Sequence, residues 1–438
     1  MKRILPVFGV SLVIAFCLTV ASATAQDFDW HEYIEQRTDE LFDQVVEWRR
    51  HFHENPELSN REFETARYIE RFLRDLGLEV ETEIAHTGVV GVLEGGMPGP
   101  VVGLRADMDA LPVRERVDIP FASNVVSEYM GEEVPVSHAC GHDTHMAMLM
   151  GAAKILTEKK EELSGTVKFI FQPAEEGAPE GEEGGAELMV REGVLENPDV
   201  DVIFGQHIWS LKPVGKIGYR AGGIMAASDR FRITVHGRQT HGSTPWDGVD
   251  PVTASAQIIT GLNTIVSRQT ELTKEAAVIS VGRIRAGVRH NIIPETAELI
   301  GTIRTLDSDM QDKIHADVHR TATKIAESMG ATADVEITRG YPVTYNDPDL
   351  TAKMLPSLQR TAGDVNVEHI NAITGAEDFS FFQMDVPGLY FFIGGMPPDM
   401  DPADAPSHHT PDFYIDEEGM RIGVKALAIL AVDYMQMD

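Results

Sequence analysis

The sequence predicts an α/β protein with a mostly parallel central sheet, interrupted by an inserted α+β domain. Short apolar segments bounded by Gly or Pro alternate with segments of helical period, which is typical of α/β domains. Polar residues follow several of these apolar segments, as they do at the carboxyl edge of an open sheet. Residues 229–340 have the order β-α-β-β-α-β, which is the split βαβ unit.

Residues 1–25 have the pattern of a secretory signal peptide. Lys2 and Arg3 precede a mostly apolar run, and Ala23-Thr24-Ala25 supplies the small residues of a cleavage site. The run is short for a membrane span of about 20 apolar residues. We therefore expect an exported protein, periplasmic or secreted, with no membrane attachment after cleavage.

Net charge and cysteine count exclude some classes of partner and of covalent cross-link. The formal net charge of −32 disfavours binding to nucleic acid or to anionic membranes. Of the 2 cysteines, Cys17 lies in the predicted signal peptide, so Cys140 has no intrachain disulfide partner. A lone cysteine in an exported protein needs another role, such as metal ligand, nucleophile, intermolecular bridge or core residue.

The first part of the predicted catalytic domain is residues 26–225. Helical periods cover Trp30–Phe52 and Asn60–Leu78, and a third helix starts near Asp143, which we expect to be its N-cap. The strands that we predict here are Val89–Leu93, Val101–Leu104, Val167–Phe171 and Val200–Phe204. Asp107, Glu175, Glu176 and His207 follow the ends of these strands.

The predicted insert, residues 226–340, contains all six elements of the split unit. They are strand Phe231–His236, helix Pro251–Thr270, strand Ala277–Ile284, strand Ala297–Thr305, helix Asp309–Ser328 and strand Ala333–Thr338. Residues 341–438 return to the α/β pattern, with strand Leu389–Ile393 and closing helix Met420–Met435.

The strongest chemical signal is the segment from His138 to His145, which contains three histidines and Cys140. Thiolate and imidazole are good ligands for borderline-soft divalent metals. One glycine separates Cys140 from His142, and its conformational freedom allows both side chains to converge. We therefore predict metal binding at Cys140 and His142.

Glu175 and Glu176 follow a predicted buried strand, where two adjacent carboxylates are costly without partners. One carboxylate can bind a metal, while the other acts as a general base toward metal-bound water. An exposed acidic loop is the alternative interpretation. His207 and the pair His408-His409 are further candidate ligands, although a lone histidine is more often structural.

Other catalytic arrangements have less support. The chain has no G-x-S-x-G, Walker A or G-x-G-x-x-G motif in a fitting context. A Cys140–His nucleophilic dyad is conceivable, but it leaves the Glu pair and the distant histidines unexplained. His241 lies in a Gly-rich turn of the insert and is a plausible hydrogen-bond donor or a loop cap, and Asn291 has similar status.

At these residues the sequence resembles the zinc aminoacylase/carboxypeptidase family that contains glutamate carboxypeptidase. It is most similar to the amidohydrolase branch of hippurate hydrolase, N-acyl-L-amino-acid amidohydrolases and indoleacetyl-amino-acid hydrolases. The matching segments are Arg50–Ser59, Leu104–Pro112, His138–His145, Gln172–Glu176, Gly375–Phe379 and His409–Pro411.

The resemblance implies a metal-dependent hydrolase that cleaves the amide bond of N-acetyl, N-benzoyl or similar N-acyl-L-amino acids. It implies two divalent ions per subunit, drawn from Zn, Mn, Co or Ni, in a zinc-peptidase-like catalytic domain. It also implies that the insert is a lid that forms a homodimer or tetramer.

The resemblance assigns roles residue by residue. Cys140 matches the metal-bridging ligand, Glu175 the general base, His241 a lid histidine that reaches the partner's site, and Asn291 a residue near the substrate carboxylate. The other matched metal ligands are His142, Glu176, His207 and His409.

Some points stay open at this stage. Trp246 stands where the branch often has a second histidine, and His408 is an alternative to its neighbour His409 as ligand. Rival functions are a dipeptidase or carboxypeptidase of the same family, a non-catalytic exported metal-binding protein, and a redox sensor that uses Cys140.

Overall fold

The computed structural model describes Met1 and residues 28–437. The predicted signal peptide therefore lies almost wholly outside the described residues. Within the part that is described, no helix combines the length and the hydropathy needed to cross a bilayer.

The larger part of the chain is built around one sheet of mixed direction. Its strands are β1 Glu79–Ile84, β2 Gly88–Glu94, β3 Met97–Asp107, β6 Ser164–Gln172, β7 Val202–Pro213, β8 Ile217–Tyr219, β17 Val367–His369 and β18 Gly388–Met396. They lie in the order β1-β2-β6-β3-β7-β18-β8-β17. The four central strands β6, β3, β7 and β18 are all parallel, so their carboxyl ends meet at one edge.

Helices cover both faces of this sheet. They are α1 Trp30–Glu54, α2 Phe63–Asp75, α3 His142–Thr157, α4 Gly185–Arg191, α7 Pro348–Ala362, α8 Ser380–Asp385 and α9 Gly419–Met435. Because side chains alternate along a strand, β18 sends Phe391 into the core beneath α1, α3 and α9, and sends Tyr390 into a second core beside α4 and α8. This double burial explains why the central strands are almost continuously apolar.

The insert forms a separate four-stranded antiparallel sheet with its own core. Its elements are β10 Ala227–His236, α5 Pro251–Thr264, β12 Ala277–Ala286, β14 Thr296–Thr305, α6 Ser308–Ser328 and β15 Thr332–Thr338, and a π-helical turn Ile265–Gln269 continues α5. The strand order is β12-β14-β10-β15, as the split βαβ unit requires. The predicted fold class is confirmed, while the exact domain boundaries stay a prediction.

Short two-stranded ribbons complete the structure. They pair β4 Val126–Tyr129 with β5 Glu132–Pro135, β9 Gly222–Met225 with β16 Thr344–Asn346, and β11 Thr240–His241 with β13 Ile292–Ile293.

Two local predictions were wrong. Asp143 is not the N-cap of α3, because that helix already begins at His142 and Gly141 precedes it. The buried Asp143 carboxylate instead pairs with Arg49, at 2.7 Å, and with His53, at 2.8 Å. Strand β7 does not end at Phe204 but continues to Pro213, so His207 lies within a strand and not after one.

Candidate metal centre

Donor atoms from the start of α3, from strand β7 and from the loops that follow β6 and β18 meet at the carboxyl edge of the main sheet, around Cys140. The Cys140 sulfur lies 3.3 Å from His207 Nε2 and 3.3 Å from His409 Nε2. Cys140, His142 and Glu176 each place a donor atom within 4.8 Å of the others. His409 Nε2 lies 2.9 Å from Glu176 Oε1. The structure thus brings all five predicted ligands together.

Gly141 allows Cys140 and His142 to point into the same site. Its φ of +100° is in the left-handed region, which glycine adopts without steric cost. A Cβ at this position would lie 2.6 Å from Ile208 Cγ2. Any other residue would therefore be strained and would also collide with β7.

The two buried imidazoles are oriented as metal ligands usually are. His142 Nδ1 donates to the Asp109 carbonyl at 2.8 Å, and His207 Nδ1 donates to the Ile208 carbonyl at 2.5 Å. These bonds direct both Nε2 atoms toward the site. His142 Nε2 is buried without a hydrogen-bond partner, and Glu176 Oε1 lies 2.9 Å from His409 Nε2. Buried nitrogen and oxygen atoms grouped in this way beside a thiol fit a site for divalent cations.

The adjacent histidines 408 and 409 differ in their hydrogen bonds. His408 Nε2 accepts from the Ser210 N–H at 3.1 Å, and its Nδ1 lies 3.1 Å from the Cys140 carbonyl. Distance alone would group His408 with Cys140 and His207 as a ligand, but both of its nitrogens are already used. The geometry therefore favours His409, as predicted.

A second polar cluster, which contains Asp107 and His145, is complete without a metal. His145 Nδ1 lies 2.6 Å from Asp107 Oδ1, and His145 Nε2 accepts from the Ile208 N–H at 2.9 Å. The other oxygen of Asp107 accepts from Arg105 at 2.8 Å. Since every donor and acceptor is engaged, we interpret this pair as support for the site and not as ligands.

Asp109 fixes the loop that carries the two predicted functional carboxylates. Its Oδ1 accepts from the backbone N–H of Glu175 and its Oδ2 from that of Glu176, both at 3.0 Å. Ser59 also donates to Oδ2, at 2.7 Å. Tyr341 adds a bond from its hydroxyl to the Glu175 carbonyl at 2.6 Å. The loop is thus held from several sides.

The Glu175 carboxyl is buried among other acids. Burial, together with Glu377 and Glu176, raises its pKa well above the ordinary value. Its Oε2 lies 3.8 Å from His142 Nε2. Burial, Glu176 and Glu175 raise the pKa of the Cys140 thiol in the same way. Bound cations would reverse both effects, because they favour the carboxylate and the thiolate.

The two buried imidazoles have opposite pKa shifts. Burial lowers the pKa of His142, but Asp107 and Asp109 outweigh this effect and raise it to about 10. Burial, together with the neighbouring His145 and His408, holds the pKa of His207 well below its ordinary value. His207 is therefore neutral, which is the form that binds metals.

A cavity of about 420 Å³ opens onto this centre. Its walls combine the predicted base and four of the five predicted ligands, all except His142, with apolar side chains. The apolar members are Trp209, Leu211, Met225, Ile373 and Phe392. Among the described residues, no Lys or Arg lines this cavity.

Comparisons with known proteins agree with this geometry. The signature of Peptidase family M20/M25/M40 matches residues 103–433. The chain belongs to this family. Thermostable carboxypeptidase 2 of Saccharolobus solfataricus is 40% identical over 93% of this chain and 99% of its own length. N-acetylcysteine deacetylase of Bacillus subtilis is 36% identical over 89% and 96%.

A solved structure of the same family is also similar. The YXEP protein of Bacillus subtilis, a dinuclear metal binding peptidase, has a TM-score of 0.76 and is 34% identical over 91% of this chain and 99% of that chain. The predicted resemblance, the enzyme class of a metal-dependent amide hydrolase and the pair of divalent ions are confirmed at this level. The acyl and amino-acid preference, the metal element and the oligomeric state stay predictions.

The two remaining predicted site residues, His241 and Asn291, lie in the insert of this chain. His241 pairs with Ile292 across β11 and β13, and the Gly242 N–H donates to the Asn291 carbonyl at 2.8 Å. His241 is exposed, and its Nδ1 lies 2.7 Å from Ser243 Oγ. Neither His241 nor Asn291 lines the cavity of its own chain.

Sequence reasoning gave no role to Arg105, which lies at the centre of a buried polar network. The fully buried Arg105 donates to Gln172, Asp107, Glu377 and Asp378 at 2.7 to 3.0 Å. A charged residue directly after the apolar run Val101–Leu104 was the available signal, because a buried arginine requires acidic partners.

Proposed function

We propose that this protein hydrolyses the amide bond of N-acyl-L-amino acids and releases a carboxylic acid and a free amino acid. The single observation that carries the proposal is the apolar, cation-free wall of the catalytic cavity. An uncharged acyl group suits that wall. A carboxylate does not, because no Lys or Arg among the lining residues would pair with it, and burying an ion without a partner is costly.

Glu175 is the group that moves the proton in this proposal. It accepts a proton from the attacking water as the oxygen bonds to the amide carbon, and returns it to the leaving nitrogen as the C–N bond breaks. Two divalent ions held by Cys140, His142, Glu176, His207 and His409 would lower the pKa of that water and polarise the carbonyl. Asp109 keeps Glu175 in position through the backbone bond described above.

The insert supplies the remaining part of the proposal. His241 is exposed, with Nδ1 engaged by Ser243, so its Nε2–H is free to donate to another molecule. In a dimer this donor would stabilise the developing oxyanion in the partner's site, with Asn291 beside it for the substrate carboxylate. The outer edge strand β12 exposes Val278 and Ile284, which fits pairing between two inserts.

Export rests on the sequence pattern alone. Mass spectrometry of the protein from the periplasm or medium should find Gln26 as its first residue, and a chain that retains Met1 in the cytoplasm would contradict this proposal.

A substrate panel tests the activity itself. N-acetyl and N-benzoyl amino acids should be hydrolysed with a higher kcat/KM than dipeptides with a free amino terminus and the same carboxyl-terminal residue. The reverse order would identify a dipeptidase or carboxypeptidase, and no turnover of either class would favour a binding protein.

A further inference from the structure

Beyond the metal centre, one face of strand β7 carries apolar side chains. Side chains alternate along a strand, so His207, Trp209, Leu211 and Pro213 lie on the same face. The first of them is a predicted metal ligand, and the next three are apolar. At about 3.3 Å per residue, the path from Trp209 to Pro213 is about 13 Å long.

Two adjoining cavities follow this face. The catalytic cavity is bounded by His207, Trp209 and Leu211, and an outer cavity of about 400 Å³ is bounded by Trp209, Leu211 and Pro213. Ile373 lines both cavities, and Ile370 also lines the outer one. Because the two cavities share Trp209, Leu211 and Ile373, they adjoin, and we call them together the β7 groove.

The outer part of the β7 groove is lined mostly by apolar side chains, and its polar lining residues are Lys212, Glu368 and Asn371. The Trp209 ring packs on Phe392 with centroids 4.7 Å apart, which fixes the inner wall. Leu211 is 39% exposed, although it adjoins a buried centre. The one cation among the lining residues, Lys212, is paired with Glu368 at 2.9 Å. An open apolar surface that continues from a catalytic cavity fits an apolar part of the substrate.

We propose that the β7 groove binds a long apolar acyl chain, so that the preferred substrates are N-acyl amino acids with acyl groups of about ten carbons, the number that fits about 13 Å at ordinary bond lengths. This inference rests on the proposed function and specifies its substrate class. An acetyl group would leave most of the groove empty.

A chain-length series tests the inference. The metal-loaded enzyme is assayed with N-acetyl, N-hexanoyl, N-decanoyl and N-hexadecanoyl conjugates of one amino acid. We expect kcat/KM to rise by about fourfold per added methylene, the effect of burying one such group, and to level off near decanoyl. A flat or falling series would overturn only this inference. Absence of turnover for every conjugate would overturn the proposed function and this inference with it.

A pair of variants tests whether the acyl chain lies in the β7 groove. Leu211→Asp places a charge in the groove and should lower the decanoyl-to-acetyl ratio of kcat/KM at least tenfold. Leu272→Asp, at a leucine that is 52% exposed on the insert, should leave the ratio within twofold. Calorimetric binding of decanoate should likewise weaken at least tenfold in Leu211→Asp only. Equal ratios or equal decanoate binding in the two variants would contradict binding in the β7 groove.

Discussion

His409 Nε2 lies 2.9 Å from Glu176 Oε1 and beside the Cys140 sulfur, although His409 is largely exposed. Its backbone has a φ of +62°, a left-handed conformation that directs the ring toward the site. Non-glycine residues adopt this conformation at a cost and are uncommon in it. The neighbouring His408 has both nitrogens bonded to backbone groups, so the two histidines have separable roles.

Substituting each histidine by alanine should separate the role of metal ligand from that of structural support. We expect His409→Ala to purify with fewer than two metal ions per chain, because a direct ligand is lost. His408→Ala should keep two ions and show a lower Tm, because it loses only bonds to the backbone. Elemental mass spectrometry measures the ions, and the opposite pattern would assign the ligand to His408.

Glu175→Gln should separate metal binding from proton transfer. The amide keeps the size of the side chain but cannot accept the proton of water, so kcat should fall by about two to four orders of magnitude. Metal content should stay at two ions. Glu180→Gln, at an exposed carboxylate of the next loop, is the matched control. Near-normal turnover of Glu175→Gln would reject the role of general base.

The metal-free protein should lose stability as the pH rises, partly through Glu62. Its carboxylate is fully buried and accepts from Thr87 Oγ1 at 2.6 Å and from the Ala174 N–H at 2.9 Å. Burial and the charge of Asp109 raise its pKa from 4.5 to about 8. Because the folded pKa lies above the unfolded one, the stabilising contribution is complete below pH 4.5 and is lost as the pH rises toward 8.

Glu62→Gln removes that titration. In chelator, the unfolding free energy measured in urea should therefore fall less between pH 5 and pH 9 in the variant than in the wild type. The difference should reach up to roughly 1.4 kcal/mol for each pH unit between the unfolded and the folded pKa. An unchanged pH slope would show that Glu62 does not carry the effect.

Mixed subunits test whether His241 acts in the partner's site. Alone, Glu175→Ala and His241→Ala should both have low activity. After equal mixing with subunit exchange, half of the dimers are mixed, and each has one intact site. About a quarter of wild-type activity should then return, as the two-fold symmetry of a dimer dictates. If His241 acts within its own chain, mixing should restore nothing beyond the average of the two variants.

The fold was predictable from the pattern of apolar residues. The strands β6 and β18 are buried on both faces, so their sequences are almost continuously apolar, and the insert alternates between core and solvent. Glu176 and His409 follow β6 and β18, whose carboxyl ends share one edge, and the structure brings these two predicted ligands together.

The errors came from interactions between residues that are distant in sequence. Asp143 is a residue type that often caps helices, but its carboxylate pairs with Arg49 of α1. No local sequence pattern reveals this pairing. Strand β7 continues to Pro213 because β18 pairs with it as far as that residue. The Arg105 network likewise joins positions such as Glu377 that lie far apart in the chain.

The central claim is that one thiolate, three imidazoles and a carboxylate hold two catalytic ions. Elemental analysis of the purified protein, combined with hydrolysis assays before chelation, after chelation and after metal return, tests it most directly. We expect two ions per chain, loss of turnover with their removal and recovery with their return. A preparation that is free of transition metals and still hydrolyses its substrate at full rate in chelator would contradict the account.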